Sequence, residues 1–323
     1  MLSELLKDFL PVDVSRMRAR DFLGKQNEIE NTKLAAIGKG SGWKDVESCP
    51  LCGSGERETE FRKHDVELVG CLDCRLRYGA RIPSNLDDVY KSPEYVSFSK
   101  EDSDEHYSYR RDRFGRERVA ILEKYCGDLT DLKILDIGCG NGYFLSAAME
   151  RCKHCFGTES SGRLRKFATQ KTGLSVFGED LENLPERDFD IITLFDVIEH
   201  VPAPARFMET VIELLKAGGH ILMFTPNFDS FSIRVMEAHS SIVDPTEHVV
   251  LFTRPSLKYL ADALRLETIY YETQGLDIQN ILSMSRGGDA DSGKFLIRWA
   301  NELQAMINRS SCGDYSRIMF RKA

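Results

Sequence analysis

Residues 135–142 read Leu-Asp-Ile-Gly-Cys-Gly-Asn-Gly, and this segment constrains the fold of the 323-residue chain more than any other. Residues 133–136, Lys-Ile-Leu-Asp, are predicted to form a β-strand, and residues 142–151 have the apolar spacing of a helix. Because glycine has no Cβ, three glycines between them let a ligand approach the backbone closely. These are Gly138, Gly140 and Gly142. A strand, a glycine-rich turn and a helix in this order predict a ligand-binding βα unit.

The same alternation of strands and helices continues to the end of the chain. Further strands are predicted over residues 155–159, 174–177, 189–195 and 220–225, with helices near 163–171 and 205–215 and from Pro255, and a final edge strand over 316–321. Repeated βα units predict an α/β protein with a doubly wound, Rossmann-like parallel sheet. Ligands of such sheets bind beyond the carboxyl ends of the strands, where the glycine turn lies.

Four of the nine cysteines form two Cys-x2-Cys pairs separated by eighteen residues. This spacing is typical of a structural zinc site, in which each pair makes a tight turn around the same ion. The predicted ligands are Cys49, Cys52, Cys71 and Cys74. A closed shell of four thiolates leaves no open coordination position, so this zinc would stabilise the fold rather than take part in chemistry. The alternative is a small reduced hairpin without metal.

These features divide the chain into four parts: a helical arm over residues 1–48, a zinc-binding module over 49–80, a helical connector or lid over 81–130, and the α/β domain over 131–323. Apolar residues of the arm recur at helical spacing, so the arm would pack against another domain or join two subunits of an oligomer. The connector contains an aromatic and basic run between Tyr107 and Arg118. It is either a lid that contacts the ligand or an anionic substrate, or a solvated helix face.

The composition argues against several classes of protein. The net charge of −8 at pH 7 opposes general binding to a phosphate backbone. No apolar run reaches the roughly 20 residues that span a bilayer, and Glu4, Lys7 and Asp8 interrupt the apolar core that a signal peptide would need. We therefore expect a cytoplasmic protein whose partner is a small molecule rather than a membrane or a nucleic acid.

The residues around the glycine turn favour one ligand class over another. A dinucleotide fingerprint, Gly-x-Gly-x-x-Gly, would place glycine at 143, where the chain has Tyr143, and this weakens a nicotinamide or flavin interpretation. Asp136 lies at the strand tip, where it could bind a cationic amino group directly or through water. With these features the segment resembles the first motif of class I S-adenosylmethionine-dependent methyltransferases, over about residues 131–270. The resemblance implies the seven-stranded sheet of that family.

The resemblance also assigns donor-site roles to residues at other strand ends. Glu159, after the second strand, matches the acidic residue that holds the ribose hydroxyls of S-adenosylmethionine. Asp180 and Leu181 match the position near the adenine, and Asp196 and Val197 match the segment that flanks donor and substrate. With the acidic strand tip and the three glycines, these are the predicted cofactor-binding residues.

A zinc pattern in front of such a domain resembles bacterial methyltransferases that act on sugars and other small metabolites. It implies a small-molecule acceptor such as a nucleotide-linked sugar, with oxygen as the preferred acceptor atom and carbon or nitrogen as alternatives. Because a hydroxyl nucleophile usually needs a base, two histidines are catalytic candidates. His200 follows the fourth strand, and His248 lies between the fifth strand and the next helix. The alternative for each is a structural role in a turn or loop.

Three other functions remain open at this point. A zinc-containing RNA methyltransferase would explain the cysteine pairs, but the acidic net charge and the lack of an Asn-Pro-Pro-aromatic signature after Phe195 argue against it. A non-catalytic module would use the zinc unit for protein contacts and the glycine turn for ligand binding alone. An NAD-dependent oxidoreductase would require the turn to hold a dinucleotide. Fold analogy alone does not name a substrate.

Overall fold

The chain folds around two main β-sheets. The computed structural model describes residues 5–17, 28, 30–35, 37, 42–84, 86, 104–178, 180–284 and 290–323. Its strands are β1 (Trp43–Asp45), β2 (Arg57–Lys63), β3 (Val66–Cys71), β4 (Arg77–Gly79), β5 (Arg81–Pro83), β6 (Lys133–Ile137), β7 (His154–Thr158), β8 (Val176–Phe177), β9 (Phe189–Phe195), β10 (Leu215–Pro226), β11 (Val250–Leu251), β12 (Leu266–Gln274) and β13 (Tyr315–Lys322).

Seven strands form the central sheet, in the order β12–β13–β10–β9–β6–β7–β8. The strands from β10 to β8 run parallel, and β13 is antiparallel to both of its neighbours. Successive residues of a strand belong to different apolar cores on the two faces, as Ile134 and Leu135 do. A sheet covered on both faces explains the near-continuous apolar strands. The prediction of a doubly wound, seven-stranded sheet is confirmed.

The last strand does not lie at the edge of the sheet, so that prediction is wrong. β13 lies between β10 and β12, and β12 is the edge strand. Residues 316–320 of β13 are all buried, which is the pattern of an interior strand. Its sequence, Ser-Arg-Ile-Met-Phe-Arg over residues 316–321, has polar residues on both sides of a short apolar run, and this favoured an edge strand.

Helices cover both faces of the central sheet. They are α1 (Val14–Met17), α2 (Asp104–Arg110), α3 (Arg116–Cys126), α4 (Tyr143–Ala148), α5 (Gly162–Thr172), α6 (Pro204–Leu214), α7 (Phe231–Met236), α8 (Arg254–Ala263), α9 (Asp277–Met284), α10 (Ala290–Arg298) and α11 (Ala300–Arg309). A π-helical turn, Arg111–Gly115, joins α2 to α3, and Ile198–His200 forms a 3-10 turn after β9. Helices α3, α4 and α5 pack on one face, and α6 and α8 on the other. None of the described helices is long and apolar enough to cross a bilayer.

The smaller sheet joins the cysteine-rich module to the α/β part of the chain. Its order is β11–β4–β3–β2, and β1 pairs separately with β5. β11 belongs to the segment after β10, and it pairs antiparallel with β4, with Val250 opposite Tyr78. The backbone N–H of Gly79 also donates to the carbonyl oxygen of Val249 at 3.2 Å. The module and this segment are therefore parts of one hydrogen-bonded sheet.

Residues 10–17 of the predicted helical arm pack on the connector helices. The backbone N–H of Asp13 donates to the Tyr109 hydroxyl at 2.7 Å, and the Arg113 guanidinium donates to the carbonyl oxygen of Leu10 at 2.6 Å. The predicted arm includes α1 and the helical residues 30–35, but it also contains β1. Residues 1–4, 18–27 and 87–103, which carry parts of the predicted arm and connector, lie outside the described residues.

Candidate active site

A cavity of about 980 Å³ lies at the carboxyl ends of β6, β7 and β9. This is the edge at which open parallel sheets bind ligands. Nine of the predicted site residues line it, namely Asp136, Gly138, Gly140, Glu159, Leu181, Asp196, Val197, His200 and His248. Two predicted donor-site residues, Gly142 and Asp180, are not among its lining residues. The sequence motifs thus converge on one cavity.

The glycine turn follows β6 and forms the floor of this cavity. Gly138 has φ +70°, and a Cβ at this position would lie 2.7 Å from Cγ2 of Val197. The Cys139 N–H donates to the Thr158 carbonyl at 2.9 Å, which ties the turn to β7. Gly142 has φ +81° and would bring a Cβ within 3.1 Å of the Ala168 Cβ. Gly142 therefore lets α4 approach α5, while Gly138 lets the backbone approach the segment after β9.

Asp136 is a buried acid at the cavity wall, with 2% of its surface exposed. The Thr193 hydroxyl on β9 donates to its Oδ1 at 2.7 Å. Burial raises the pKa of Asp136 to about 7, although the Thr193 hydrogen bond and the charge of Arg118 act in the opposite direction. A cationic partner in the cavity would favour the ionised carboxylate.

Glu159 connects the end of β7 to the glycine turn. Its Oε2 accepts a hydrogen bond from the Gly140 N–H at 2.9 Å, and its Oε1 accepts one from the Ser161 N–H at 2.8 Å. Burial raises the pKa of this carboxyl, against the effect of the two backbone donors. The Ser160 hydroxyl also donates to Oε1, at 3.4 Å. Oε2 therefore keeps a lone pair for one hydroxyl of a diol, and Oε1 can accept the other if it replaces the long Ser160 contact.

The predicted adenine region is divided between cavity and surface. Leu181 is buried and lines the cavity. Asp180 is exposed, and its carboxylate accepts hydrogen bonds from the backbone and side-chain nitrogens of Asn183 at 3.2 and 2.8 Å. In this segment, Leu181 is therefore the residue whose apolar side chain could contact a ligand in the cavity.

The connector contributes two arginines, Arg110 and Arg118, to the cavity wall. The Arg118 guanidinium lies 3.9 Å from the ring centroid of Phe195 and 5.2 Å from that of Phe224, and it donates to the Tyr143 hydroxyl. Among the described residues its Nε has no hydrogen-bond partner. Stacking on aromatic rings fixes a buried, permanent positive charge at the site. Of the arginines in the predicted lid, Arg110 and Arg118 line the cavity, whereas Arg111, Arg113 and Arg116 do not. The lid itself stays a prediction.

Asp196 has a left-handed backbone, φ +59°, directly after β9. This conformation is uncommon for a residue other than glycine, and such strain is concentrated at functional sites. The Asp196 N–H donates to the Phe224 carbonyl at 3.1 Å, which anchors the turn to β10. The turn thereby places Asp196 and Val197 against the cavity.

The two candidate histidines come together in the lining of the cavity. Their ring centroids are 4.9 Å apart. The His200 Nδ1 is 3.1 Å from the Glu247 carbonyl oxygen, and the His248 Nδ1 is 2.6 Å from the Ile242 carbonyl oxygen. Burial lowers the pKa of both imidazoles, and at His200 it lowers the pKa well below the usual value. Both rings are therefore neutral near pH 7.

Glu199 is a third member of this group that the sequence did not identify. It is completely buried, and its Oε2 accepts a hydrogen bond from the Thr225 hydroxyl at 3.0 Å. Burial raises the pKa of this carboxyl well above the usual value, and the neighbouring Asp196 adds to the effect. The sequence feature that could have identified Glu199 as a site residue is its position directly before His200, in a turn after a buried strand.

The segment that carries His248 is held by the N-terminal parts of the chain. The Lys63 ammonium on β2 donates to the Val243 carbonyl at 2.6 Å, and Lys33 forms an ion pair with Glu247. The hydroxyl of Thr253 donates to the Arg75 carbonyl at 3.0 Å. Contacts on both sides of His248 therefore depend on the cysteine-rich module or on the N-terminal segment.

The four predicted zinc ligands form a cluster. The Sγ atoms of Cys49 and Cys74 are 3.4 Å apart, those of Cys52 and Cys71 are 3.5 Å apart, and all four lie within 4.8 Å of one another. Four sulfurs around one zinc ion are separated by about 3.8 Å. The donor set and its spacing therefore fit a tetrahedral zinc site.

Comparisons with known proteins agree with this architecture. A family model described as a methyltransferase domain matches residues 107–270. A ubiquinone biosynthesis O-methyltransferase from Leptothrix cholodnii is 28% identical over 153 residues, which are 43% of this chain and 65% of that protein. The protein of the same name from Idiomarina loihiensis is 28% identical over 166 residues, covering 47% of this chain and 68% of that protein.

A solved structure has a similar fold. It is a chain from the complex between the Haloferax volcanii Trm112 methyltransferase activator and a methyltransferase. It covers 71% of this chain and 96% of its own length, with 15% identity and a TM-score of 0.50.

Proposed function

This chain belongs to the methyltransferase family whose model matches residues 107–270, and we propose that it transfers a methyl group from S-adenosylmethionine to a hydroxyl of a small molecule. The acceptor class we propose is a sugar or another hydroxylated metabolite. One observation carries the proposal: the glycine turn, Asp136 and Glu159 face one cavity at the ends of adjacent parallel strands. These groups suit the two ends of a molecule that has both an ammonium group and a ribose.

The chain's own residues suggest how the donor is held. Asp136 would accept the ammonium group, and Glu159 would accept the ribose hydroxyls while it keeps its hydrogen bond to Gly140. Leu181 would contact the base, and Arg118 would attract the donor's carboxylate. When bound, S-adenosylmethionine supplies an electrophilic methyl carbon. The walls of the cavity would hold the acceptor in line with it and exclude water.

The acceptor side of the proposal depends on the histidines. With Nδ1 directed at a backbone carbonyl, His248 carries its proton there and has a lone pair on Nε2. This tautomer can take a proton from an acceptor hydroxyl. The names of the curated relatives support oxygen as the acceptor atom. The sugar class is suggested by the zinc module, and for that module we propose a structural zinc ion on the four cysteines.

Calorimetric titration with S-adenosylmethionine, S-adenosylhomocysteine and NAD tests the donor site. We expect the two sulfur ligands to bind and NAD not to bind. Glu159→Gln should weaken binding about tenfold, because a charged acceptor is replaced by a neutral one. Glu209→Gln, at an exposed position on α6, is the matched control. Binding of NAD alone would overturn the proposal in favour of an oxidoreductase.

The acceptor is then identified by turnover. Methyl transfer from radiolabelled donor to nucleotide-linked sugars and to other hydroxylated metabolites is the primary assay. Transfer to an RNA, with a steep dependence of binding on salt, would contradict the small-molecule acceptor.

A further inference from the structure

We propose that Glu199, His200 and His248 form a second metal site, which takes a divalent transition-metal ion at the acceptor end of the cavity. One potential ligand atom from each of these side chains lies within 4.8 Å of the other two. Tetrahedral ligands at about 2.1 Å from one ion lie about 3.4 Å apart. Since the three atoms lie within 4.8 Å of one another, they need to approach by at most about 1.4 Å to coordinate one ion.

The carboxyl group of Glu199 supplies an independent reason for a bound cation. The residue has no exposed surface, and its Oε2 is satisfied by the Thr225 hydroxyl at 3.0 Å. Its Oε1 is buried and has no hydrogen-bond partner among the residues that the structure describes. Leaving a buried polar oxygen without a partner is costly, and such groups in native proteins call for a ligand. A cation between Oε1 and the two imidazoles would satisfy it.

The two imidazoles are oriented as metal-binding histidines usually are. In each ring Nδ1 faces a backbone carbonyl, that of Glu247 for His200 and that of Ile242 for His248. A hydrogen bond from Nδ1 to a carbonyl fixes the tautomer, and at His248 it leaves the lone pair on Nε2, an atom that can bind a metal. The backbone of the His248 segment is itself held by β11 and by Lys63. The ligands are therefore placed by rigid surroundings.

The donor set indicates which ions fit. Two imidazoles and one carboxylate suit zinc, iron, cobalt or nickel, whereas magnesium and calcium prefer oxygen ligands throughout. Three protein ligands leave coordination positions open. The four-thiolate cluster lies elsewhere, in the module of β2 to β4, and has no open position. The two sites would therefore differ in both chemistry and role.

The role of this ion rests on the proposed function, although metal binding itself does not. His200 and His248 line the cavity, so an acceptor hydroxyl could occupy an open coordination position. Coordination would lower the pKa of a bound hydroxyl, so that its proton could leave to solvent before methyl transfer. The oxygen then bonds to the methyl carbon as the carbon–sulfur bond breaks, and the sulfonium becomes a neutral thioether. With an ion bound, His248 would be a ligand, and the role of base proposed for it above would apply only to a site without metal.

Cobalt titration of the full-length protein, purified with its thiolate site filled, tests the inference. We expect one equivalent of Co²⁺ to bind with visible d–d bands and without the thiolate charge-transfer bands that a four-cysteine site would give. His248→Gln should weaken this binding at least about tenfold, because one of three ligands is lost. Glu199→Gln should do the same, and His239→Gln, at an exposed position, should not. The partly exposed His248 provides a test even if the buried Glu199 variant fails to fold.

The outcomes separate this site from the methyltransferase proposal. Absence of cobalt binding to the wild-type protein, or equal binding by His248→Gln and wild type, would overturn the metal site. Calorimetry with S-adenosylhomocysteine on the same samples reports on the donor site alone. Cobalt binding without donor binding would support the metal site and refute the proposed function, and the reverse result would do the opposite.

Discussion

The raised pKa of Asp136 predicts that replacing this acid stabilises the ligand-free protein while it impairs donor binding. The pKa is raised from 3.8 to about 7 by burial. Because the folded-state pKa lies above the unfolded one, stability is fully present below about pH 4 and is lost as the pH rises to about 7. Above that pH, ionised Asp136 costs at most about 4 kcal/mol, because each tenfold change in an acid's ionisation constant corresponds to about 1.4 kcal/mol.

Asp136→Asn removes this pH-dependent cost and keeps an oxygen that can accept from Thr193. Urea unfolding of variant and wild type at pH 5.5 and pH 8 measures the effect. We expect the variant to gain about 2 kcal/mol relative to wild type between the two pH values. Any constant effect of the new amide cancels in this comparison. A stability difference that is the same at both pH values would refute the reasoning.

Donor binding should respond in the opposite sense. A cationic ammonium group beside Asp136 favours the ionised carboxylate, so donor affinity of the wild type should rise with pH up to about 7. The variant should bind S-adenosylmethionine at least about tenfold more weakly at pH 8, with little dependence on pH. Calorimetry at several pH values measures both effects. A wild-type affinity that does not change between pH 5.5 and 8 would contradict a direct contact with the ammonium group.

Three further outcomes follow from the site. Gly138→Ala should abolish donor binding measured by calorimetry, because the new Cβ would lie 2.7 Å from Cγ2 of Val197. The control Gly173→Ala has a similar positive φ but open space around its Cβ, so it should cost about 1 kcal/mol of stability and leave donor binding intact. Similar donor binding by both variants would argue against the clash. His248→Gln should reduce turnover at least about 100-fold with donor affinity within about twofold, and unchanged turnover would remove it from the reaction. Cys74→Ser should lower both zinc content and the melting temperature, and a variant with full zinc content would disprove its role as a ligand.

Much of the donor half of the molecule could be predicted because its signals are local. The glycine turn and Glu159 follow buried strands within a few residues, and the alternation of strands and helices places both at the same edge of the sheet. Asp136, Leu181 and Val197 reach the cavity for the same reason. Their roles in binding are still predictions.

Features that depend on distant pairing could not be predicted in this way. β13 is an interior strand because β12 pairs with its outer edge. The sequence of residues 316–321 carries no signal that such a partner exists. The addition of β11 to the sheet of the cysteine-rich module joins two segments that no local motif connects. Glu199 belongs to the site only because His248 is brought to it across the fold. Asp180 is the opposite case: its position matches a motif of the family, but its side chain is exposed to solvent and does not line the cavity.

The shared sheet of β4 and β11 has a consequence for the order in which the molecule assembles. The donor end is built from neighbouring βα units, and contacts of this kind form early. The other end must bring together positions as distant as Arg75 and Thr253, which are 178 residues apart. Closing so long a loop is slow unless the cysteine-rich module is already folded to receive β11. If the four cysteines bind zinc as proposed, a nascent chain without that ion should bind donor before it can bind acceptor, and zinc supply would set the time at which the molecule matures.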